Sequence, residues 1–352
     1  MKELGFTDKI QKLISTEIDS LEIGRIIVEH KERYILQSVD GIFNAEITGN
    51  LRFTAESRAE FPAVGDWVRF TKMDEQNAII IEIYPRFSVL ERQAVGKQGE
   101  IQIIASNIDS AFLVQAVGHN FNLKRLERYL TICHSAKIEP IIVLTKIDLI
   151  SVDEVKKLVA LISSRIKNVH VVALSSKTKN GYKQLNKLME AYKTYCFIGS
   201  SGVGKSTIVN HLQEEKVLKT KSISSSTNKG RHTTSHRELI VLPNKSIVID
   251  TPGMREVGIT NQSAGIEKTY DQIIELAKQC RYKDCTHVNE TGCMVLQAME
   301  NGDLSEDVYE NYQKLKREQE HFSSTIREKR QRDKEFGKMI KTVLNERKNL
   351  KY

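Results

Sequence analysis

The 352-residue sequence has no apolar run long enough to cross a bilayer. Its longest apolar-rich stretches, AIIIEIY and PIIVL, fall far short of the roughly 20 residues that a membrane helix needs. The amino-terminal MKELGFTDKIQK is charged and mixed, without the apolar core of a leader. These absences point away from secretion and from a membrane partner, and set the expectation of a cytoplasmic chain. Tryptophan occurs once, as Trp67. Cysteine is scarce and odd in number: there are five, and three fall within fourteen residues beside a histidine. Such clustering in a chain without a leader reads as metal binding before disulfide.

What remains is ordinary for a globular chain, with 40% apolar and 28% charged residues. The length favours two or three domains. The formal charge of +8 is uneven, because Lys314 to Lys351 carries thirteen Lys/Arg against six Asp/Glu. A basic segment on a nearly balanced body fits a polyanion, nucleic acid first. A merely solvated helix has the same composition.

Residues 7–18 carry the period of a short amphipathic helix. From Leu21 to about Tyr84 the chain alternates in β-branched runs: EIGRIIVEH, RYILQSV, IFNAEIT, WVRFTKM and AIIIEIY. The separators Asp40-Gly41, Gly49-Asn50 and Gly65-Asp66 are turn-like, and TAESRAEFP reads as a long loop. Five short strands suit a small closed barrel, of which the oligonucleotide-binding (OB) fold is the commonest; an SH3-like barrel has the same strand count. Trp67 in the fourth strand is either core or a platform for a stacked base. After Arg92 strands and helices alternate. SAFLVQA, PIIVL, VHVVAL and TYCFI are separated by helical stretches at LKRLERYLTICHSAK, 154–166 and 181–193, the pattern of a parallel sheet covered on both faces. RELIVL and SIVID form a hairpin about Pro243-Asn244. From Ile266 onward only helices are expected. The boundaries implied are 1–92, 93–265 and 266–352.

Strand TYCFI runs into Gly199, Ser200, Ser201, Gly202, Val203, Gly204, Lys205, Ser206 and Thr207, then a helix. G-x-x-x-x-G-K-S between strand and helix is a phosphate-binding loop, or P-loop. Its glycines let backbone N–H groups turn inward on phosphate oxygens, and the helix N-terminus adds positive potential. Lys205 reaches the β- and γ-phosphates, and Ser206 ligates Mg²⁺.

Base choice falls to Thr145, Lys146, Ile147 and Asp148 after strand PIIVL. A carboxylate there accepts from the ring N–H and amino group of guanine, and adenine presents neither donor. Ser175 and Ser176, with Lys177, follow VHVVAL and fit the loop whose backbone N–H meets the guanine oxygen. Together these elements select GTP over ATP. Asp250-Thr251-Pro252-Gly253 closes SIVID: Asp250 holds the Mg²⁺ shell, and the Gly253 N–H meets the γ-phosphate. Gly230-Arg231-His232-Thr233-Thr234 lies in a polar loop suited to a switch, with Thr234 (or Thr233) as the magnesium-binding threonine. Met254 stands where many GTPases place a water-orienting glutamine. Cys280, Cys285, His287 and Cys293, spaced C-x4-C-x-H-x5-C, make a closed tetrahedral set for one structural Zn²⁺, with a redox switch as the rival reading. Cys133 and Cys196 lie in core patterns.

The base-reading motifs precede the P-loop, the reverse of ordinary small GTPases. That permuted order, with VGDWV in the barrel, GRHTT in the switch and the Cys/His spacing, resembles the ribosome small-subunit-dependent GTPase A (RsgA) family over nearly the whole chain. The resemblance implies a multidomain fold: an N-terminal OB-fold β-barrel, a circularly permuted α/β P-loop GTPase and a C-terminal α-helical zinc-binding module. It implies GTP hydrolysis stimulated by the small ribosomal subunit, a role in that subunit's late maturation, rRNA as partner, and His232 as the catalytic histidine beside Lys205. The expected chain is a monomer that cycles between GTP and GDP. Ordering of 231–236 and 251–260 about the γ-phosphate is expected to act on the zinc module. Two rivals remain, an RNA-binding module with a vestigial GTP site and a nucleotide sensor without turnover.

Overall fold

The computed structural model describes residues 1–14, 22–30, 33–55, 57–93, 101–119, 121–219, 237–250 and 263–323. The chain divides into two compact units, one formed by Met1–Gly258 with Ala264–Asp271 and the other by Ile259–Ser263 with Gln272–Tyr352.

The first unit begins with a short helix, α1 (Asp8–Leu13), and then enters five strands: β1 (Ile23–His30), β2 (Arg33–Gln37), β3 (Ile42–Ile47), β4 (Trp67–Lys72) and β5 (Asn77–Ile83). They pair in the order β1-β2-β3-β5-β4 and close where β4 meets β1. β3 and β5 run parallel while the other pairs are antiparallel. The closed five-strand cylinder is OB-like, as expected. Strict alternation makes it: in β3, Phe43, Ala45 and Ile47 point inward and Ile42, Asn44 and Glu46 outward. Ile26, Leu36, Phe70 and Ile80 complete the interior.

The sequence places a turn at Gly49-Asn50, but residues Gly49–Thr54 form helix α2. The Thr48 hydroxyl accepts from the Leu51 N–H at 3.2 Å, a side-chain cap that holds a weak helix former in helical form. TAESRAEFP then carries a short 3₁₀ turn at Arg58–Glu60. Trp67 is core rather than a stacking platform: it is 1% exposed and meets Phe6 edge-on at 5.0 Å.

A hairpin that the sequence reading did not anticipate follows, β6 (Val89–Gln93) with β7 (Ile101–Ser106). The VGDWV stretch joins it to the barrel. Asp66, fully buried, takes two bonds from the Arg86 guanidinium at 2.8 and 2.6 Å, one from the Ala63 N–H at 2.8 Å and one from the Ser106 hydroxyl. Gly65 has φ +98°, and a Cβ there would lie 2.2 Å from the Ser106 carbonyl oxygen, so no other residue fits. Beneath them the buried Arg25 side chain donates to the carbonyls of Leu4 (2.5 Å), Gly65 (3.2 Å) and Asn107 (3.2 Å) and to the Thr194 hydroxyl (3.0 Å). Burial pulls its pKa down to about 10, with Asp109 and Asp66 opposing, so it stays charged at neutral pH.

The α/β sheet comprises β8 (Ser110–Ala116), β9 (Glu139–Thr145), β10 (His170–Ala173), β11 (Thr194–Ile198), β12 (Arg237–Val241) and β13 (Ile247–Asp250), in the order β10-β9-β8-β11-β13-β12. All neighbours are parallel except the β12–β13 hairpin. β8 is buried along its whole length. Ala111 and Leu113 face one core with Cys196, Ile198 and Leu144; Phe112 and Val114 face the other with Phe197 and Val143. Cys133 and Cys196 are packing residues at 0% exposure, and burial pushes the Cys196 thiol up to about 12. The covering helices are α3 (Leu123–Ser135), α4 (Val152–Arg165), α5 (Tyr182–Leu188) and α6 (Lys205–Lys219), with α7 (Ser263–Thr269).

Barrel and sheet are continuous. β1 pairs antiparallel with β12, Val28 opposite Glu238 and Glu29 opposite Arg237. Arg237 donates to the Glu29 carboxylate at 2.9 Å and to the Ile103 carbonyl at 3.1 Å. Burial raises the Glu29 carboxyl, and Arg237 opposes that rise.

The second unit holds α8 (Asp271–Ala277) from Gln272 onward, α9 (Met294–Glu300) and α10 (Glu306–Ser323), with no strand among its described residues. Gly302, at φ +79°, closes α9 as expected. The basic segment beyond residue 323 lies outside the described residues.

Candidate functional site

Parallel strands carry their C-terminal ends to one edge of a sheet, where open α/β folds bind ligands. Here β9 ends at Thr145, β10 at Ala173, β11 at Ile198 and β13 at Asp250, so four of the motifs begin on that edge.

After β11 the chain turns at Gly199, whose missing side chain is required: a Cβ would sit 2.3 Å from the Val114 carbonyl oxygen of β8. Gly202 and Gly204 take left-handed φ values of +75° and +102°, which curls Ser200–Gly204 ahead of the N-terminus of α6. Val203 is buried in the core, while Ser201, Ser206 and Thr207 are exposed. The Lys205 ammonium lies within the loop, donating to the carbonyls of Gly199 at 2.6 Å and Ser200 at 2.7 Å. Tyr129 of α3 stands with its hydroxyl 3.4 Å from the Ser200 hydroxyl.

Thr145 tethers the base-reading loop to the P-loop. It is buried, and its hydroxyl lies 2.6 Å from the Val203 carbonyl and 3.3 Å from the Gln115 carbonyl. One hydroxyl proton serves mainly the nearer oxygen. Lys146 turns left-handed (φ +59°), Ile147 begins a 3₁₀ turn, and Asp148 emerges exposed. The Ser175 hydroxyl donates to Asp148 at 2.5 Å and accepts from the N–H groups of Lys177 and Thr178, both at 3.2 Å. That bond, with Lys177 and Lys146 nearby, holds the Asp148 carboxyl below the usual range. Ser176 meets the Tyr182 hydroxyl at 2.8 Å. Asp250 lies opposite Glu238 at the end of β13. His232, Thr234 and Gly253 lie outside the described residues.

In the second unit, the donor atoms of Cys280, Cys285, His287 and Cys293 lie within 4.8 Å of one another, and the four residues could hold one metal ion. His287 is buried, at φ +62°, with Nδ1 turned to the thiols. Its loop has an organiser that the spacing does not reveal. Glu290 accepts from the N–H groups of Thr286 (2.8 Å), Val288 (2.9 Å) and Asn289 (3.1 Å) and from the Thr286 hydroxyl. These bonds pull its carboxyl down to about 2. Tyr309 of α10 donates to the His287 carbonyl at 2.5 Å.

A family model described as RsgA GTPase matches residues 83–260. The chain belongs to the RsgA GTPase family. Curated relatives extend the likeness to both ends. The small ribosomal subunit biogenesis GTPase RsgA 1 of Bacteroides thetaiotaomicron is 39% identical, covering 98% of this chain and 97% of the relative. RsgA 2 of Lactiplantibacillus plantarum is 43% identical over 89% of this chain and 88% of its own length. A second model, described as 50S ribosome-binding GTPase, matches residues 194–333. That match begins at Thr194, the first residue of the strand into the P-loop. Among solved structures, YjeQ from Thermotoga maritima superposes with a TM-score of 0.61 at 23% identity, covering 86% of this chain and 99% of that one. YloQ, described as a circularly permuted GTPase, gives 0.61 at 24%. These two likenesses establish that the RsgA member shares their fold.

Proposed function

We propose that this RsgA-family GTPase hydrolyses GTP to GDP and phosphate in a cycle coupled to binding and release of the small ribosomal subunit during its late maturation. It acts as a cytoplasmic monomer with rRNA as its partner. The observation that carries the reading is the Thr145–Val203 bond, which locks the base-reading loop and the P-loop into one site at the sheet edge. The curated relatives described above, matched over 97% and 88% of their lengths, are named small ribosomal subunit biogenesis GTPases.

In this reading the backbone N–H groups of Gly199–Thr207 cradle the phosphates, and Lys205 exchanges its two carbonyl partners for β- and γ-oxygens. Ser206, Thr234 and Asp250 would hold Mg²⁺, which neutralises charge developing on the phosphates. The Gly253 N–H meets the γ-phosphate. His232 orients the attacking water, a task the thioether of Met254 cannot perform. Asp148 reads the guanine edge, Lys146 lays its stem over the base, and Ser175 and Ser176 shape the turn facing the guanine oxygen. The functional parts are 1–92, 93–265 and 266–352, with the barrel and basic tail making phosphate-directed, salt-sensitive RNA contacts.

The Cys/His cluster fits zinc. Tetrahedral Zn²⁺ with bonds of about 2.3 Å to sulfur and 2.0–2.1 Å to nitrogen separates its ligands by about 3.8 Å (S···S) and 3.6 Å (S···N). Cys280 and Cys293 sulfurs lie 3.8 Å apart, and His287 Nδ1 lies 3.6 and 3.4 Å from them. The ion would crosslink the loop and supply no chemistry to GTP.

Two measurements test the reading. GTP hydrolysis is expected to rise strongly on addition of purified small ribosomal subunits, with ATP unaffected; absence of stimulation with GTP still bound favours a sensor or a vestigial site. Asp148→Asn is expected to shift preference from guanine towards xanthine by about tenfold or more, because one acceptor oxygen becomes a donor amide. Unchanged GTP preference in that variant removes the base-reading assignment.

A further inference from the structure

The turn after β10 is fastened by a side chain belonging to neither the nucleotide motifs nor the P-loop. Tyr182, in the first turn of α5, is 5% exposed, and its hydroxyl lies 2.8 Å from the Ser176 hydroxyl. Its ring packs on His211 of α6, centroids 4.1 Å apart and planes inclined by 52°. The same ring belongs to the core that contains Val203 of the P-loop and Ile208 and Leu212 of α6. Burial raises the phenol's pKa, so the hydroxyl is protonated and able to donate at neutral pH.

The turn already has internal restraints, the Ser175 hydroxyl accepting from Lys177 and Thr178 and the Ser175 N–H donating to the Asn180 carbonyl at 3.0 Å. These act within the turn, and the hydroxyl also reaches Asp148. Tyr182 is different in kind, because it refers Ser176 to helix α6, whose N-terminus is the phosphate site.

We propose that Tyr182 is a specificity-positioning residue: its hydroxyl fixes Ser176 so that the turn presents its backbone N–H to the 6-oxo group of the purine. The ring on His211 sets that distance relative to the phosphates. This rests on the base-reading assignment above. Tyr182 touches no nucleotide itself and acts through Ser176.

The test is Tyr182→Phe, which keeps the ring and its packing and deletes only the hydroxyl. Dissociation constants are measured for GDP and for 6-thioguanosine diphosphate. The thio analogue retains the ring N–H and amino group that Asp148 reads, but offers a weaker acceptor at position 6. One neutral hydrogen bond corresponds to roughly a 3- to 10-fold change in affinity. Tyr182→Phe is expected to weaken GDP by about that factor and leave the thio analogue nearly unchanged, collapsing the oxo-over-thio preference. Ser176→Ala removes the same bond from the other side without touching the core and is expected to reproduce the collapse. Equal weakening of both ligands means a merely structural role and overturns the proposal, as does no change in either. If Asp148→Asn shifts preference to xanthine while Tyr182→Phe leaves the preference intact, this inference fails alone. If Asp148→Asn shows no shift, the base-reading assignment fails with it.

Discussion

Replacing Lys205 with alanine is expected to abolish GTP turnover and to weaken GDP and GTP binding by roughly a hundredfold or more, two charge-assisted bonds to phosphate being lost together. The ammonium already lies within the P-loop, between the Gly199 and Ser200 carbonyls. Those two carbonyls are neutral acceptors, weaker than phosphate charge, so phosphate displaces them. The side chain is only part-buried, and the carbonyls that it leaves can be hydrated. Thermal unfolding should therefore shift little, and titration with a fluorescent GDP should report the loss. Retained turnover in a folded Lys205→Ala protein would remove this loop as the phosphate site.

The largest effect on stability is expected at Arg25. Arg25→Met keeps much of the aliphatic volume but deletes all four of its donated bonds, leaving the carbonyls of Leu4, Gly65 and Asn107 and the Thr194 hydroxyl without this donor. Bonds from a charged donor to buried acceptors contribute about 1.5–3 kcal/mol each, not additively, so a loss of about 3–5 kcal/mol is expected. The sole tryptophan reports on it directly: the Trp67 ring lies 5.4 Å from the Arg25 guanidinium carbon, in the same unit. Guanidinium unfolding followed by Trp67 emission reads that unit alone, which matters in a chain of two compact units. A loss under about 1 kcal/mol would mean that water replaces the guanidinium at little cost.

Much of this was legible because the chemistry was local. β3 shows its alternation in six consecutive residues, and Gly199–Thr207 displays strand, loop and helix in one stretch. The C-x4-C-x-H-x5-C spacing brings four donor atoms together as expected. The misses are of another kind. Arg25 bonds to residues 21, 40, 82 and 169 positions away, and no window of sequence displays such partners. The Thr145 hydroxyl reaches across 58 residues to Val203, a partner that the motif around Thr145 does not display. Gly49-Asn50 reads as a turn by propensity, yet a cap from Thr48 and the barrel around it impose a helix. β6 and β7 bracket a stretch holding Gly96 and Gly99, so a turn between them is legible, but VLERQ and IQIIAS show no clean alternation and their pairing emerges only in the folded chain. Glu290 is an ordinary acidic residue until three N–H groups are seen to point at it.

The β1–β12 pairing has a consequence for how the protein avoids sticking to itself. An open sheet normally ends in two bare rims whose unpaired amides can recruit a strand from another molecule. Here one rim is shortened: β12 pairs Arg237 and Glu238 with β1 of the barrel, and the barrel, being closed, has no rim to pass on. Among the described strands of this eleven-stranded sheet, only β10 has a single neighbour, and it is four residues long. The barrel thus serves as an end-stop at the start of β12, so that little bare rim is left on which a misplaced strand could grow.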